Sequence, residues 1–145
     1  MLLLSLLVAG AQAKKVTLFY NVYAQPRRTT RAFAIVDEQL RAFRRSPLGP
    51  ATTDVRFATI GDRATRGRVE ALCGALNFTC VHLGHSSSGD EGNTLEPLHA
   101  FCRARPEGAV AYLHDKGSFR DNPQNTLLRR NLLRGLASPA ARYVL

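Results

Sequence analysis

Ala109-Val-Ala-Tyr-Leu-His-Asp-Lys-Gly-Ser118 is the stretch on which the reading of this chain turns. Its first five residues, Ala109 to Leu113, have the length and composition of a buried strand, opened by Gly108 and closed by Gly117. An imidazole, a carboxylate and an ammonium have no place in such an apolar section. His114, Asp115, Lys116 and Ser118 are therefore expected at the strand's carboxyl end, where α/β sheets place their ligands. The run has no polar alternation, which predicts burial on both faces and a central position in the sheet.

Outside this stretch the chain alternates strand-like and helix-like segments. Val16 to Tyr23 reads as strand one. From Thr30 the period changes, with Phe33, Val36, Leu40 and Phe43 on one helical face, Thr29 or Thr30 as its cap, and Ser46 to Pro50 as its stop. Asp54 to Ile60 is strand two. Arg66 to Leu76 is a helix with Val69, Leu72, Cys73 and Leu76 inward, and Phe78 to Leu83 is strand three. A polar loop is expected over Gly84 to Gly92. Asn93 and Glu96 have capping-box spacing for a helix whose inner face is Leu95, Leu98 and Cys102, with Pro97 in its first turn. After strand four, Asn122-Pro123 opens a helix carrying Leu128, Leu132 and Leu136, and Tyr143-Val144-Leu145 reads as the start of a fifth strand.

Strands joined by helices imply right-handed crossovers and a parallel sheet covered on both faces. The fold class expected is α/β, a Rossmann-like parallel sheet of about four strands in the order 3-2-1-4 with flanking helices. That order makes the carboxyl ends of strands one and four neighbours at a switch point. Asn21 and Tyr23 then face His114 and Lys116 across a crevice whose rim is closed by the Gly84–Gly92 loop.

The chain's 145 residues suffice for one domain with a real core. Residues 1–13 are expected to be a signal peptide: Leu2 to Gly10 is an apolar run too short to span a bilayer, and Ala11-Gln12-Ala13 supplies a small-x-small cleavage pattern. Residues 14–145 are then the mature domain, with no transmembrane span, in the secretory pathway (Golgi lumen or secreted). Asn77-Phe78-Thr79 is an N-glycosylation acceptor that fits this compartment. Cys73 and Cys80, seven residues apart, either close a small loop as a disulfide or lie, with Cys102, as small buried hydrophobes. The net charge of +9 is almost all arginine, spread along the chain without a tract or an aromatic-rich ribbon. Nucleic acid is therefore not the expected partner.

The chemistry-bearing candidates cluster at the expected rim. Lys116 is placed to meet a phosphate as a point charge, and Ser118 can donate to phosphate oxygens. His114 reads as a base, a diphosphate donor or a structural histidine, and Asp115 as a ligand contact or a metal ligand, with Gly117 standing where a second carboxylate would support the metal. Asp90 and Glu91, at the end of strand three, are candidate bases or metal ligands, or a solvated acidic turn. His82 and His85 lack a third metal ligand. No Walker loop, no G-x-G-x-x-G after strand one and no G-x-S-x-G elbow occurs, which argues against nucleotide-triphosphatase, dinucleotide-dependent and serine-hydrolase chemistry.

Tyr112 to Phe119, followed by a leucine- and arginine-rich helix, resembles the corresponding segment of rhamnan-synthesis-type glycosyltransferase-like proteins. It is also similar to algal secretory proteins with a Tyr-(Leu/Ile)-His-x-Lys-Gly-Ser-Phe core. Phe19 to Tyr23 and Gly89-Asp90-Glu91 support the likeness, whose motifs cover about a fifth of the chain. The resemblance implies the nucleotide-binding half of an A-type glycosyltransferase, without the acceptor-binding half that such enzymes carry. Those enzymes hold a metal with Asp-x-Asp at the end of strand four. This chain has His114-Asp115-Lys116 there, so the cofactor is left unknown and no metal residue is assigned. The expected function is a glycosyltransferase-like lumenal domain binding a nucleotide-diphosphate sugar. Lys116 and Ser118 would contact phosphates, with Asn21, Tyr23 and Asp115 also lining the ligand pocket, and Asp90, Glu91 and His114 are the candidate catalytic groups. The alternative is a non-catalytic secreted module binding an anionic glycan or a protein partner.

Overall fold

A computed structural model describes residues 15–115, 118, 120 and 122–138. Strand β1 (Val16–Ala24) is followed by helix α1 (Thr29–Arg45), a short 3₁₀ turn at Gly49–Ala51, and β2 (Thr52–Gly61). Helix α2 (Thr65–Ala75), β3 (Thr79–Ser86), α3 (Gly92–Ala104), β4 (Ala109–His114) and α4 (Pro123–Ala137) complete the order. All strand pairs are parallel and the sheet runs β3-β2-β1-β4. This is the α/β, Rossmann-like order 3-2-1-4 expected from the sequence.

Strand β1 is the spine because it has a neighbour on each edge and a helix on each face. Alternation along it separates the two layers. Tyr20 points to α1, where its hydroxyl donates to Gln39 Oε1 at 2.6 Å. Phe19 and Asn21 point the other way to α3, Phe19 stacking edge-on against Phe101 at 5.4 Å and Asn21 accepting from Thr94. Nearly every β1 residue is consequently buried. Helix α4 returns to the α1 layer, where Arg129, buried, meets Glu38 at 3.1 Å.

Strand β4 differs from expectation. Among the described residues it pairs only with β1 and forms the edge of the sheet, not its centre. Its burial alternates, with Ala109, Ala111 and Leu113 buried and Val110, Tyr112 and His114 half-buried. The two alanines hide a period of two behind uniformly apolar residues. The order 3-2-1-4 itself puts the last strand outside, and the crevice needs only the β1–β4 seam.

Other local expectations are also corrected. Gly84, His85 and Ser86 extend β3 instead of starting the loop, and the β2–β3 register skips Leu83 as a bulge. Helix α3 begins after Glu91, so Asn93 and Glu96 form no capping box and Pro97 is its sixth residue. Its buried contact is Thr94, while Leu95 is exposed. Helix α1 begins after Arg28 without a side-chain cap, and its Phe33 is only half-buried. Leu128 and Leu132 of α4 are exposed, because Arg129 takes the inner face. The expected cap Asn122 is present: its Oδ1 accepts from the Asn125 amide at 2.7 Å. Cys73 and Cys80 form a disulfide, and Cys102 is free. The expected signal peptide (1–13) and fifth strand (143–145) lie outside the described residues. Among those described, no helix is long and apolar enough to cross a membrane.

Candidate functional site

A crevice of about 650 Å³ lies at the carboxyl ends of β1 and β4. The β3–α3 loop closes one wall, and the segment leading into α4 closes the other. This is the position that strand order 3-2-1-4 predicts for a ligand, and the volume lies within the ordinary range for small-molecule sites.

Asp115 holds the crevice together from below. Both of its carboxylate oxygens accept from the Tyr23 backbone amide at 3.0 Å, and its own amide donates to the Asn21 carbonyl at 3.3 Å. The Ser118 hydroxyl donates to the same carboxylate. Asp115 is 4% exposed, and this burial pushes its carboxyl well above the ordinary carboxylate range, against the pull of the Tyr23 and Ser118 donors. The sequence places Asp115 and Ser118 as ligand contacts. The fold uses them to latch β4 to β1: β4 ends at His114 while β1 runs on to Ala24, and the Asp115 carboxylate accepts from the Tyr23 amide that β4 no longer reaches.

Above the latch sits a cluster that joins two segments distant in sequence. Glu91 Oε2 accepts from the Tyr112 hydroxyl at 2.9 Å, and Glu91 Oε1 lies 3.0 Å from His114 Nδ1. The approach to Nδ1 is at ion-pair distance but out of line for a straight hydrogen bond. The rings of Tyr112 and His114 meet edge to face at 6.0 Å, as i and i+2 neighbours on one strand face must. Burial, then the hydrogen bond to Glu91, drives the Tyr112 hydroxyl far above its ordinary value, so it serves as a fixed donor. Beneath His114, its carbonyl accepts from Gln39 Nε2 at 2.8 Å, and Gln39 is in turn held by the Tyr20 hydroxyl. The imidazole thus faces a carboxylate at Nδ1 and is packed on its ring face, and its backbone carbonyl is held by Gln39. This arrangement suits a histidine that handles a proton at Nε2.

The remaining site residues are distributed as follows. Asn21, Tyr23, Asp90, Glu91, His114, Asp115 and Ser118 all line the crevice. Asn21 Oδ1 is bound by the Thr94 hydroxyl at 2.9 Å and fixes the wall. Asp90 Oδ1 accepts from the Gly92 amide at 2.8 Å, the solvated-turn role that its sequence position also allowed. Lys116 lies outside the described residues. Asn77 is exposed at the α2–β3 turn, at the opposite end of the sheet, with φ +56°. Tyr112, Arg120, Gln124 and Asn125 were not anticipated as site residues. Tyr112 was the findable one, since it shares a strand face with His114. The other three belong to the first turn of α4 or the segment before it, and they line the crevice. The start of α4 is closed by its own cap: Pro123 has no amide hydrogen, and the Asn125 and Thr126 amides donate to Asn122. Among the described residues, no group of three His, Cys, Asp or Glu side chains is arranged to hold a metal ion. His82 and His85 instead share the Thr59 hydroxyl at 3.1 Å each, and burial with the nearby Arg66 lowers the His82 pKa.

A family model described as a domain of unknown function (DUF8361) matches residues 19–143 of the chain. No curated protein matches it, and no solved structure does.

Proposed function

The chain belongs to the DUF8361 family of unknown function, and from its crevice we propose a glycosyltransferase-like domain that binds a nucleoside-diphosphate sugar. The observation that carries the proposal is one cavity shared by two kinds of chemistry. Glu91 and His114 line one part of it, while Arg120 and the first turn of α4 line another. Arginine is matched to a diphosphate, whose charge must be neutralised as it leaves. A histidine backed by a carboxylate is matched to the hydroxyl that replaces it. In this reading His114 Nε2 takes the proton of the acceptor hydroxyl as its oxygen attacks the sugar's anomeric carbon. The bond from that carbon to the diphosphate breaks, and the diphosphate departs with its electron pair. Glu91 orients His114, and Tyr112 orients Glu91. Asn21 and Tyr23 line the pocket for base or ribose, and Lys116, from its place in the sequence, is assigned to the phosphates. A lumenal or secreted location is part of the proposal. The Cys73–Cys80 disulfide and the exposed Asn77 acceptor support it, because disulfides persist in oxidising compartments.

Calorimetric titration with uridine and guanosine diphosphates, with and without manganese, tests this reading. One diphosphate should bind, and Arg120→Ala should weaken it about tenfold or more, in line with the roughly 1.5–3 kcal/mol of a charge-assisted hydrogen bond. His114→Ala should leave diphosphate binding within about threefold while abolishing transfer. Wild-type protein that binds neither diphosphate under either condition overturns the proposal.

A further inference from the structure

The fold gathers charge that looks dispersed along the chain. Residues 25–31, between β1 and the first turn of α1, hold Arg27, Arg28 and Arg31. Residues 62–68, between β2 and the first turns of α2, hold Arg63, Arg66 and Arg68. Together they carry six arginines against one carboxylate, a local excess of five in a chain whose net charge is +9. Two contacts tie the segments side by side. The Asp62 amide donates to the Ala24 carbonyl at 2.8 Å, and the Arg68 guanidinium lies over the Phe33 ring, 4.2 Å from its centroid. The loops approach so closely that a Cβ on Gly61, which sits at φ +96°, would come within 2.3 Å of the Ala24 oxygen.

The one carboxylate is occupied locally, since Asp62 Oδ1 accepts from the Ala64 amide at 2.8 Å. Arg27, Arg28, Arg63, Arg66 and Arg68 are all exposed. Arg66 pairs with Glu70 on the solvent side of α2, an exposed i,i+4 contact of the kind that adds little and is easily exchanged for another anion. The face borders the crevice, because Tyr23 and Ile60, which line that cavity, immediately precede Ala24 and Gly61.

We infer that this arginine face binds an anionic polysaccharide, a chain bearing repeated sulfate or carboxylate groups. Repeated like charge over two adjoining loops matches a polymer better than a single small anion. Guanidinium groups pair with sulfate and carboxylate oxygens through two parallel N–H donors. Among polyanions, a nucleic acid single strand is the poorer match. Its bases need aromatic platforms, and the ring in this face, Phe33, is covered by Arg68. The Cys73–Cys80 disulfide also belongs to oxidising compartments, where the abundant polyanions are glycans. The inference goes beyond the crevice reading and stands without it.

The test is binding of the full chain to dextran sulfate, to uncharged dextran and to an oligodeoxythymidine of equal charge, each over a salt series. Dextran sulfate should bind, with affinity falling steeply as salt rises, and uncharged dextran should not. The double variant Arg27→Glu/Arg63→Glu should bind dextran sulfate at least about tenfold more weakly and with a shallower salt slope. Its neutral counterpart Arg27→Gln/Arg63→Gln should fall between it and the wild type. The control Arg103→Glu/Arg130→Glu changes the net charge equally at exposed positions on α3 and α4 and should stay within about twofold of wild type. Equal losses in both charge-reversal pairs would reduce the effect to net charge and overturn the inference. So would tighter binding of oligodeoxythymidine than of dextran sulfate. Diphosphate titration of the Arg27→Glu/Arg63→Glu variant separates this result from the fate of the crevice.

Discussion

The crevice and the arginine face leave the same strand one residue apart, Tyr23 lining the first and Ala24 opening the second, yet they are built in opposite ways. In the crevice, the central polar groups are buried or half-buried and tied to one another: Asp115 holds Tyr23 and Ser118, Glu91 holds Tyr112 and faces His114, and Thr94 holds Asn21. On the arginine face most of the charges are exposed, and the loops are tied by one backbone hydrogen bond and by the Arg68 guanidinium over the Phe33 ring. Short, directional bonds in a low-dielectric site fix orientation. Exposed charge acts over about a Debye length and sets attraction without fixing geometry. The same end of one sheet therefore offers a rigid pocket beside a diffuse electrostatic surface.

The contrast predicts a ranking of stability effects. Asp115→Ala should cost the most, about 1–3 kcal/mol, because it leaves the Tyr23 amide without its buried acceptor. Urea unfolding would measure it, and a loss below about 0.5 kcal/mol would remove the latch from the account. Asp115→Asn should show a smaller, pH-dependent difference. Because the fold raises the Asp115 carboxyl above its ordinary range, that group's contribution is fully present below about pH 4 and is lost as pH climbs toward the raised value. Wild type should thus weaken relative to Asp115→Asn as pH rises from about 4, whatever constant offset the amide introduces. Parallel stability curves would show that Asp115 titrates normally. Arg63→Glu should change stability least, within about 0.5 kcal/mol at any pH, as exposed substitutions do. A larger loss would mean that the face has a structural role as well as a binding one.

Strand order was legible in the sequence because strand and helix periods alternate cleanly and right-handed crossovers leave few topologies. The location of the site followed from that order, since His114 and Asn21 had to meet wherever strands one and four end side by side. The pairing within the site was not legible. Glu91 and His114 are 23 residues apart, and nothing local distinguishes Glu91 from its neighbour Asp90, which caps a turn instead. The latch was hidden for a related reason: Asp115 looks like a ligand residue until its backbone partners on β1 are known. The edge position of β4 was obscured by Ala109 and Ala111, whose small side chains blur the difference between inward and outward positions. The juxtaposition of arginines was likewise out of reach of the sequence. Counted along the chain they are dispersed, but two crossovers bring residues 25–31 and 62–68 into one surface.

The bulge at Leu83 bears on how copies of this protein behave when crowded. Strand β3 is the outer strand on its side of the sheet among the described residues, and an outer strand presents amides and carbonyls to any passing extended chain. The inserted residue breaks the regular spacing of that row between His82 and Gly84, so an incoming strand cannot keep register along it. One extra residue thereby blunts the β3 edge against open-ended strand addition, a role that neither the crevice nor the arginine face has.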